Sequence, residues 1–136
     1  MGTCVFCRIL QRQEPASFVY RDDKVAAFMD IQPQSPGHLL IVPVSHFERL
    51  PEIPLETASA MFSLAVRISR SIAKGPLQSQ GHRLVLSDGA CAGQEVPHVH
   101  LHIIPKWFDK KQIPQKFCGR QRDTLDLVAE SIQNLL

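Results

Sequence analysis

Three of the six histidines fall at alternate positions in Pro97-His98-Val99-His100-Leu101-His102-Ile103-Ile104-Pro105. A strand sends successive side chains to opposite faces, so His98, His100 and His102 share one face while Val99, Leu101 and Ile103 share the other. One face is then core and the other is open to chemistry; a polar edge face that happens to use imidazole is the plainer alternative. Neighbouring imidazoles on that face spring from backbone positions roughly 6 to 7 Å apart, from a rise of about 3.3 Å per residue. Two such rings can grip one metal. A histidine can equally accept a phosphoryl group, because one ring nitrogen attacks while the other donates to an acceptor that fixes its tautomer. The phosphoramidate so formed is labile, and two moderate barriers replace one high barrier.

Cysteines stand at 4, 7, 91 and 118. Met1-Gly2-Thr3 carries neither a basic nor an apolar leader, so the expected compartment is the reducing cytoplasm and disulfides are disfavoured. A redox Cys-x-x-Cys follows a strand, whereas only three residues precede Cys4-Val5-Phe6-Cys7. A metal half-site is the better reading, with incidental thiols as the alternative.

The elements that must position these groups follow from apolar spacing. Val5 to Arg12 reads as a short helix ending before Pro15. Phe18 to Arg21 and Val25 to Met29 read as strands joined by a turn at Asp22-Asp23. Asp30 to Gly37, with two prolines and a glycine, is a loop, and His38 to Val42 is a strand bounded by Pro43. Apolar residues at 55, 58, 61, 62, 65, 68 and 72 predict a long central helix over 55–73, stopped at Gly75-Pro76. Arg83 to Leu86 is a short strand, 87–95 a loop, Val96 to Ile104 a strand closed by Pro105, and Thr124 to Leu136 an amphipathic helix. Strands in neighbouring hairpins with flanking helices predict an α+β fold: a mainly antiparallel sheet with a long central helix, a short N-terminal helix and a C-terminal helix.

A chain of 136 residues with 44% hydrophobic content suffices for one domain spanning 1–136. Its net charge of +2 is spread along the chain, which argues against a dedicated nucleic-acid binder but not against a small anionic ligand. No apolar run approaches the roughly 20 residues of a membrane span.

Gly93-Gln94-Glu95-Val96-Pro97 running into His98-Val99-His100-Leu101-His102-Ile103-Ile104 resembles the signature of the histidine-triad (HIT) nucleotide hydrolases and transferases. Phe28-Met29-Asp30-Ile31-Gln32-Pro33 and Pro36-Gly37-His38-Leu39-Leu40-Ile41-Val42-Pro43, followed by His46, resemble the family's earlier blocks. The resemblance covers most of 4–106, a HIT core, and leaves 107–136 as a less constrained C-terminal extension. It implies hydrolysis or transfer at the α-phosphorus of a nucleotide, a purine nucleoside phosphoramidate or a dinucleoside polyphosphate. His100 would be the nucleophile, His102 would face the phosphate, His38 would support the triad and His98 would either do the same or ligate zinc. A strand-end histidine bonded to backbone is the alternative for His38. Asp30, otherwise a turn cap, would accept hydrogen bonds from the ribose. Phe6, Ile9 and Phe28 match an apolar base slot, although all three could be ordinary core, and Ile31 belongs to the same block.

In the 87–95 loop, glycine lets backbone amides approach an anion. The resemblance places Ser87, Gly93, Gln94 and Glu95 near the phosphate. Glu95 stands where a hydroxyl residue is frequent, and Ser87 where asparagine is found in the phosphoramidate-hydrolysing branch; both departures bear on the leaving group. Zinc-bearing members imply a structural Cys4, Cys7, His46 and His98 site. Family members also imply a homodimer through the central helix and the adjoining strand. Two rival readings stand beside this one: a nucleotide-binding module with little turnover, and a zinc enzyme holding a catalytic metal on His98 and His100.

Overall fold

Alternation along two strands divides the apolar residues between two layers. The computed structural model describes residues 4–136, so the segment read above for a leader lies outside the described residues. Its elements are α1 (Val5–Leu10), β1 (Phe18–Arg21), β2 (Val25–Met29), β3 (Leu39–Pro43), α2 (Leu55–Lys74), β4 (Gly81–Val85), β5 (Leu101–Lys106) and α3 (Arg122–Gln133). The strands form one sheet in the order β1-β2-β3-β5-β4 with every pairing antiparallel. This is the α+β architecture expected from the sequence.

Every residue of β2 and β3 is buried, which requires cover on both faces. Val25, Ala27 and Met29 with Leu39 and Ile41 meet Met61, Leu64, Ala65, Ile68 and Ile72 of α2 and Leu125, Val128, Ala129 and Ile132 of α3. Ala26, Phe28, Leu40 and Val42 face the other way and pack against Phe6, Ile9 and Leu10 of α1. The second face is only partly covered, because α1 is six residues long. The candidate site lies on that face.

Several element ends shift by one to three residues from the sequence reading, and both ends of the triad strand differ in ways that bear on the site. The strand expected from Val96 begins at Leu101, because the preceding backbone is bonded elsewhere: His98 N donates to Val96 O at 2.8 Å and Val99 N to Phe47 O at 2.7 Å. Pro105, expected to close the strand, lies inside it opposite His82. Its carbonyl accepts the Ser35 hydroxyl at 2.6 Å. A strand residue's N and O point to the same side, so the missing N–H also faces away from β4 and costs no ladder bond. The face assignment within the triad survives: Val99 and Ile103 are buried in the helix-side core, with Leu101 packed against it.

The segment after Trp107 is part of the core. Besides its four buried apolar residues, α3 is tied down by Ser71 Oγ donating to Ile132 O at 2.6 Å, Ser17 Oγ to Asp126 Oδ1 at 2.5 Å and Arg122 Nη1 to Ser17 Oγ at 2.7 Å. The helix stops at Gln133, short of the expected Leu136. No described helix is long and apolar enough to cross a membrane.

Candidate functional site

A cavity of about 480 Å³ opens beside α1 on the partly covered face. Its walls include Phe6 and Ile9 of α1, Phe28 of β2, Asp30 and Ile31 just beyond β2, and His38 at the entry to β3. Ser87, Gly93 and Glu95 of the 87–95 loop and His100 and His102 complete the polar side. All of these were singled out in the sequence. Val5, Pro15, Ala16, Gln34 and Leu40 also line it, and the sequence reading gave none of them a role in the site.

Backbone partners assign the imidazole protons. His100 Nδ1 lies 2.7 Å from His98 O. A carbonyl only accepts, so Nδ1 carries hydrogen and Nε2 keeps its lone pair. Gln34 N donates to His38 Nδ1 at 3.0 Å, which puts the His38 proton on Nε2. That nitrogen is 2.9 Å from His102 Nδ1, so His102 in turn bears its proton on Nε2. Burial holds His38 below its ordinary range despite the opposing charge of Asp30, with Lys106 adding to the depression. Burial, then His100 and His38, take His102 down to about 4. Both are neutral near pH 7. His38 is therefore bonded to backbone, as the plainer reading had it, and to the triad as well.

Asp30 likewise does two things. Its Oδ1 caps a turn by accepting Gln32 N at 2.9 Å, and its Oδ2 sits 3.4 Å from His38 Nε2.

Two of the expected site residues stand elsewhere. His98 is fully buried behind Phe6, whose ring meets His98 and His100 edge-on at 5.8 and 5.1 Å. Its Nε2 donates to Pro43 O at 2.9 Å, so Nδ1 is bare, and burial lowers the ring to about 4. Since His98 Nδ1 and His100 Nε2 belong to separate environments, the two cannot share a catalytic metal as the third reading required. Gln94 does not line the cavity. Its Oε1 accepts Gly89 N at 2.7 Å, and its Nε2 donates to Glu48 O at 2.7 Å and Val96 O at 3.0 Å. The side chain is a brace between the loop and the segment before α2. Asp88 reinforces it by accepting Arg49 Nε at 2.9 Å and Leu50 N at 2.8 Å. Sequence spacing carries no signal for that pairing.

Bare His98 Nδ1 faces two thiols. It lies 3.4 Å from Cys4 Sγ and 3.6 Å from Cys7 Sγ, while His46 Nδ1 lies 3.2 Å from Cys7 Sγ. All four donor atoms fall within 4.8 Å of one another. Tetrahedral zinc at about 2.0 to 2.3 Å from each ligand needs comparable separations, so this donor set fits a closed Cys2His2 site. Burial, then the Cys4 thiol, push the Cys7 thiol up, and a dication would reverse that by favouring thiolates. Asp30, His38 and His102 also cluster. Their chemistry does not fit a cation, because His38 uses Nδ1 as an acceptor and so keeps its proton on the nitrogen that would ligate.

The family model described as HIT domain matches residues 11–109. The chain belongs to the HIT family. A HIT-like protein of Methanocaldococcus jannaschii is 42% identical over 130 residues, 96% of this chain and 98% of that protein. The adenylylsulfatase HINT3 of Arabidopsis thaliana is 40% identical over 76% of this chain, which spans 52% of that longer protein. A zinc-bound histidine triad family protein from Mycobacterium smegmatis superposes with a TM-score of 0.85 at 30% identity, covering 98% of this chain and 93% of that one. The antiparallel sheet and long α2 of the present chain are thus the HIT fold.

Proposed function

We propose that this HIT protein hydrolyses or transfers a nucleotide at its α-phosphorus through a nucleotidyl-histidine intermediate on His100. The observation that carries this reading is the bond from His100 Nδ1 to the His98 carbonyl, which leaves a bare Nε2 on a residue lining the cavity. A purine packs among Phe6, Ile9 and Phe28, and the remaining lone pairs of the Asp30 carboxylate accept from the ribose hydroxyls. In the first step the Nε2 lone pair attacks phosphorus, and the bond to the leaving group breaks with its electron pair. An amine departs neutral after its bridging nitrogen takes a proton from solvent, and a phosphate departs as the anion. Charge on the non-bridging oxygens meets His102 Nε2–H and the amide of Glu95; the amides of Ala92, Gly93 and Gln94 already donate inside the loop. Water then attacks phosphorus, the P–N bond returns its pair to His100 Nε2, and the water's proton passes to solvent.

Cys4, Cys7, His46 and His98 would hold one zinc ion in this reading. When bound, it supplies a structural crosslink between α1 and the segment entering β5, with no place in the chemistry. We also read the chain as a homodimer. β4 is an edge strand with one unpaired side, and beside it Phe62, 60% exposed, lines one shallow groove with Val66 and Leu84, an apolar strip that a second copy would cover.

Rapid-quench trapping with adenosine 5′-phosphoramidate labelled in the phosphate tests the mechanism. One label per chain should precipitate with the protein in a burst, and none with His100→Ala. Absence of the burst from active wild-type protein, or its persistence in the variant, would overturn the proposal.

A further inference from the structure

The charges around the cavity are one-sided. Among the described residues lining it there is no lysine or arginine, and the formal charges are the carboxylates of Asp30 and Glu95. His38 and His102 add no cation, since burial keeps both below their ordinary range. Lys106, whose charge is felt at His38, does not line the cavity. One phosphoryl group can be met here by neutral donors, the His102 Nε2–H and a loop amide. A leaving group bringing further negative charge finds no partner.

Glu95 is held where that matters. Gln94, its neighbour, turns its amide away from the cavity into three bonds with Gly89, Glu48 and Val96, the last on the far side of Glu95, and Gly93, two residues before Glu95, takes the left-handed φ of 100° that ends the loop's single helical turn. The backbone on both sides of Glu95 is therefore fixed, and Glu95, exposed at the rim, lines the cavity while Gln94 does not. Among the described residues the Glu95 carboxylate makes neither a hydrogen bond nor an ion pair. Asp30, by contrast, has one oxygen occupied by Gln32 N and the other beside His38.

We infer that Glu95 selects the leaving group by charge: the site takes nucleoside 5′-phosphoryl compounds whose departing group carries a cationic tail, such as a diamine linked through a P–N bond, and disfavours anionic ones, including phosphate chains and sulfate. This rests on the nucleotidyl-transfer reading and deepens it. A carboxylate several ångströms from the tail in partly aqueous surroundings attracts a cation and repels an anion by similar amounts, so about tenfold in kcat/KM is expected for each step in charge. Salt should compress the effect, because the rim is open to solvent.

Three adenosine 5′-phosphoramidates that share the P–N bond and differ only in the tail provide the test: those of ethylenediamine (cationic), ethanolamine (neutral) and β-alanine (anionic). Wild-type kcat/KM should fall in that order, with a cationic-to-anionic ratio of about a hundredfold that shrinks at high salt. Glu95→Gln should bring the ratio close to one, and Glu95→Lys should invert it. A ratio identical in wild type and both variants, or a wild-type preference for the anionic tail, would overturn the assignment while leaving nucleotidyl transfer standing. No turnover of any of the three would overturn nucleotidyl transfer itself, and the selection with it.

Discussion

A histidine that attacks phosphorus must present a bare nitrogen, and at His100 a single carbonyl bond achieves this. Its neighbours are set the same way, by a chain that begins at the Gln34 amide and ends at His102 Nε2–H. The neutrality of His102 has a measurable cost in acid. Its pKa is about 4 in the fold against 6.5 ordinarily, so between those values the unfolded chain binds more protons than the folded one. The associated stability is complete above pH 6.5 and is lost as pH falls towards 4. His102→Gln should flatten the dependence of Tm on pH across that window, and an unchanged slope would contradict the assignment. Asp30 makes a separate prediction. A charge-assisted bond to a ribose hydroxyl is worth about 1.5 to 3 kcal/mol, so Asp30→Ala should raise KM for ribonucleotides roughly tenfold or more and abolish discrimination against 2′-deoxy analogues. Equal losses on both would leave Asp30 as a turn cap alone.

Among the elements, the connection from β2 to β3 positions most of the polar groups, and Gly37 is its tightest point. Its φ is 91°, and a Cβ there would meet Pro105 Cγ at 2.9 Å and Leu77 Cδ1 at 3.1 Å. Gly37→Ala should therefore cost about 1 to 3 kcal/mol and, by shifting His38, lower kcat as well; calorimetry and steady-state kinetics together check this. α1 depends on a different anchor. Its N-cap is Cys4, whose Sγ accepts Cys7 N at 3.4 Å, so the helix start and the thiol pair are one structure. Cys4→Ser should lower zinc content and Tm together, since a structural metal contributes folding free energy. Retained Tm in a variant stripped of metal would remove the structural role.

On the scale of the whole molecule, α3 closes the helix layer over β1 and β2. Ile132→Ala empties a fully buried position in the core and should cost about 2 to 5 kcal/mol in a denaturation experiment. The opposite edge is where a second copy would pair. Light scattering at micromolar concentration should give about twice the chain mass of 15.3 kDa, and Phe62→Glu should reduce it to that of one chain. A wild-type mass of one chain would reject the dimer.

Apolar runs between turn signals determined the strands near the site and periodicity the helices, because a strand covered on both faces is apolar throughout and a packed helix repeats at a spacing near 3.6. The triad's face and the pairing of Cys4 with Cys7 were legible for the same local reason. Spacing could not separate the roles of three histidines identical in type. His98 differs from His100 only through Phe6 and the Pro43 carbonyl, which are remote in sequence. Gln94 read as a substrate-binding residue of the 87–95 loop; its amide turns the other way because Glu48 and Gly89 are there to meet it. The strand entry was placed early, since Val99 has strand character but finds Phe47 as its partner instead of a neighbouring strand. Nor could the tail reveal that it completes the core, because an amphipathic pattern states that a face is buried and leaves open against what. Local pattern fixes which way a side chain points along its own element; what it points at is decided only when distant elements pack.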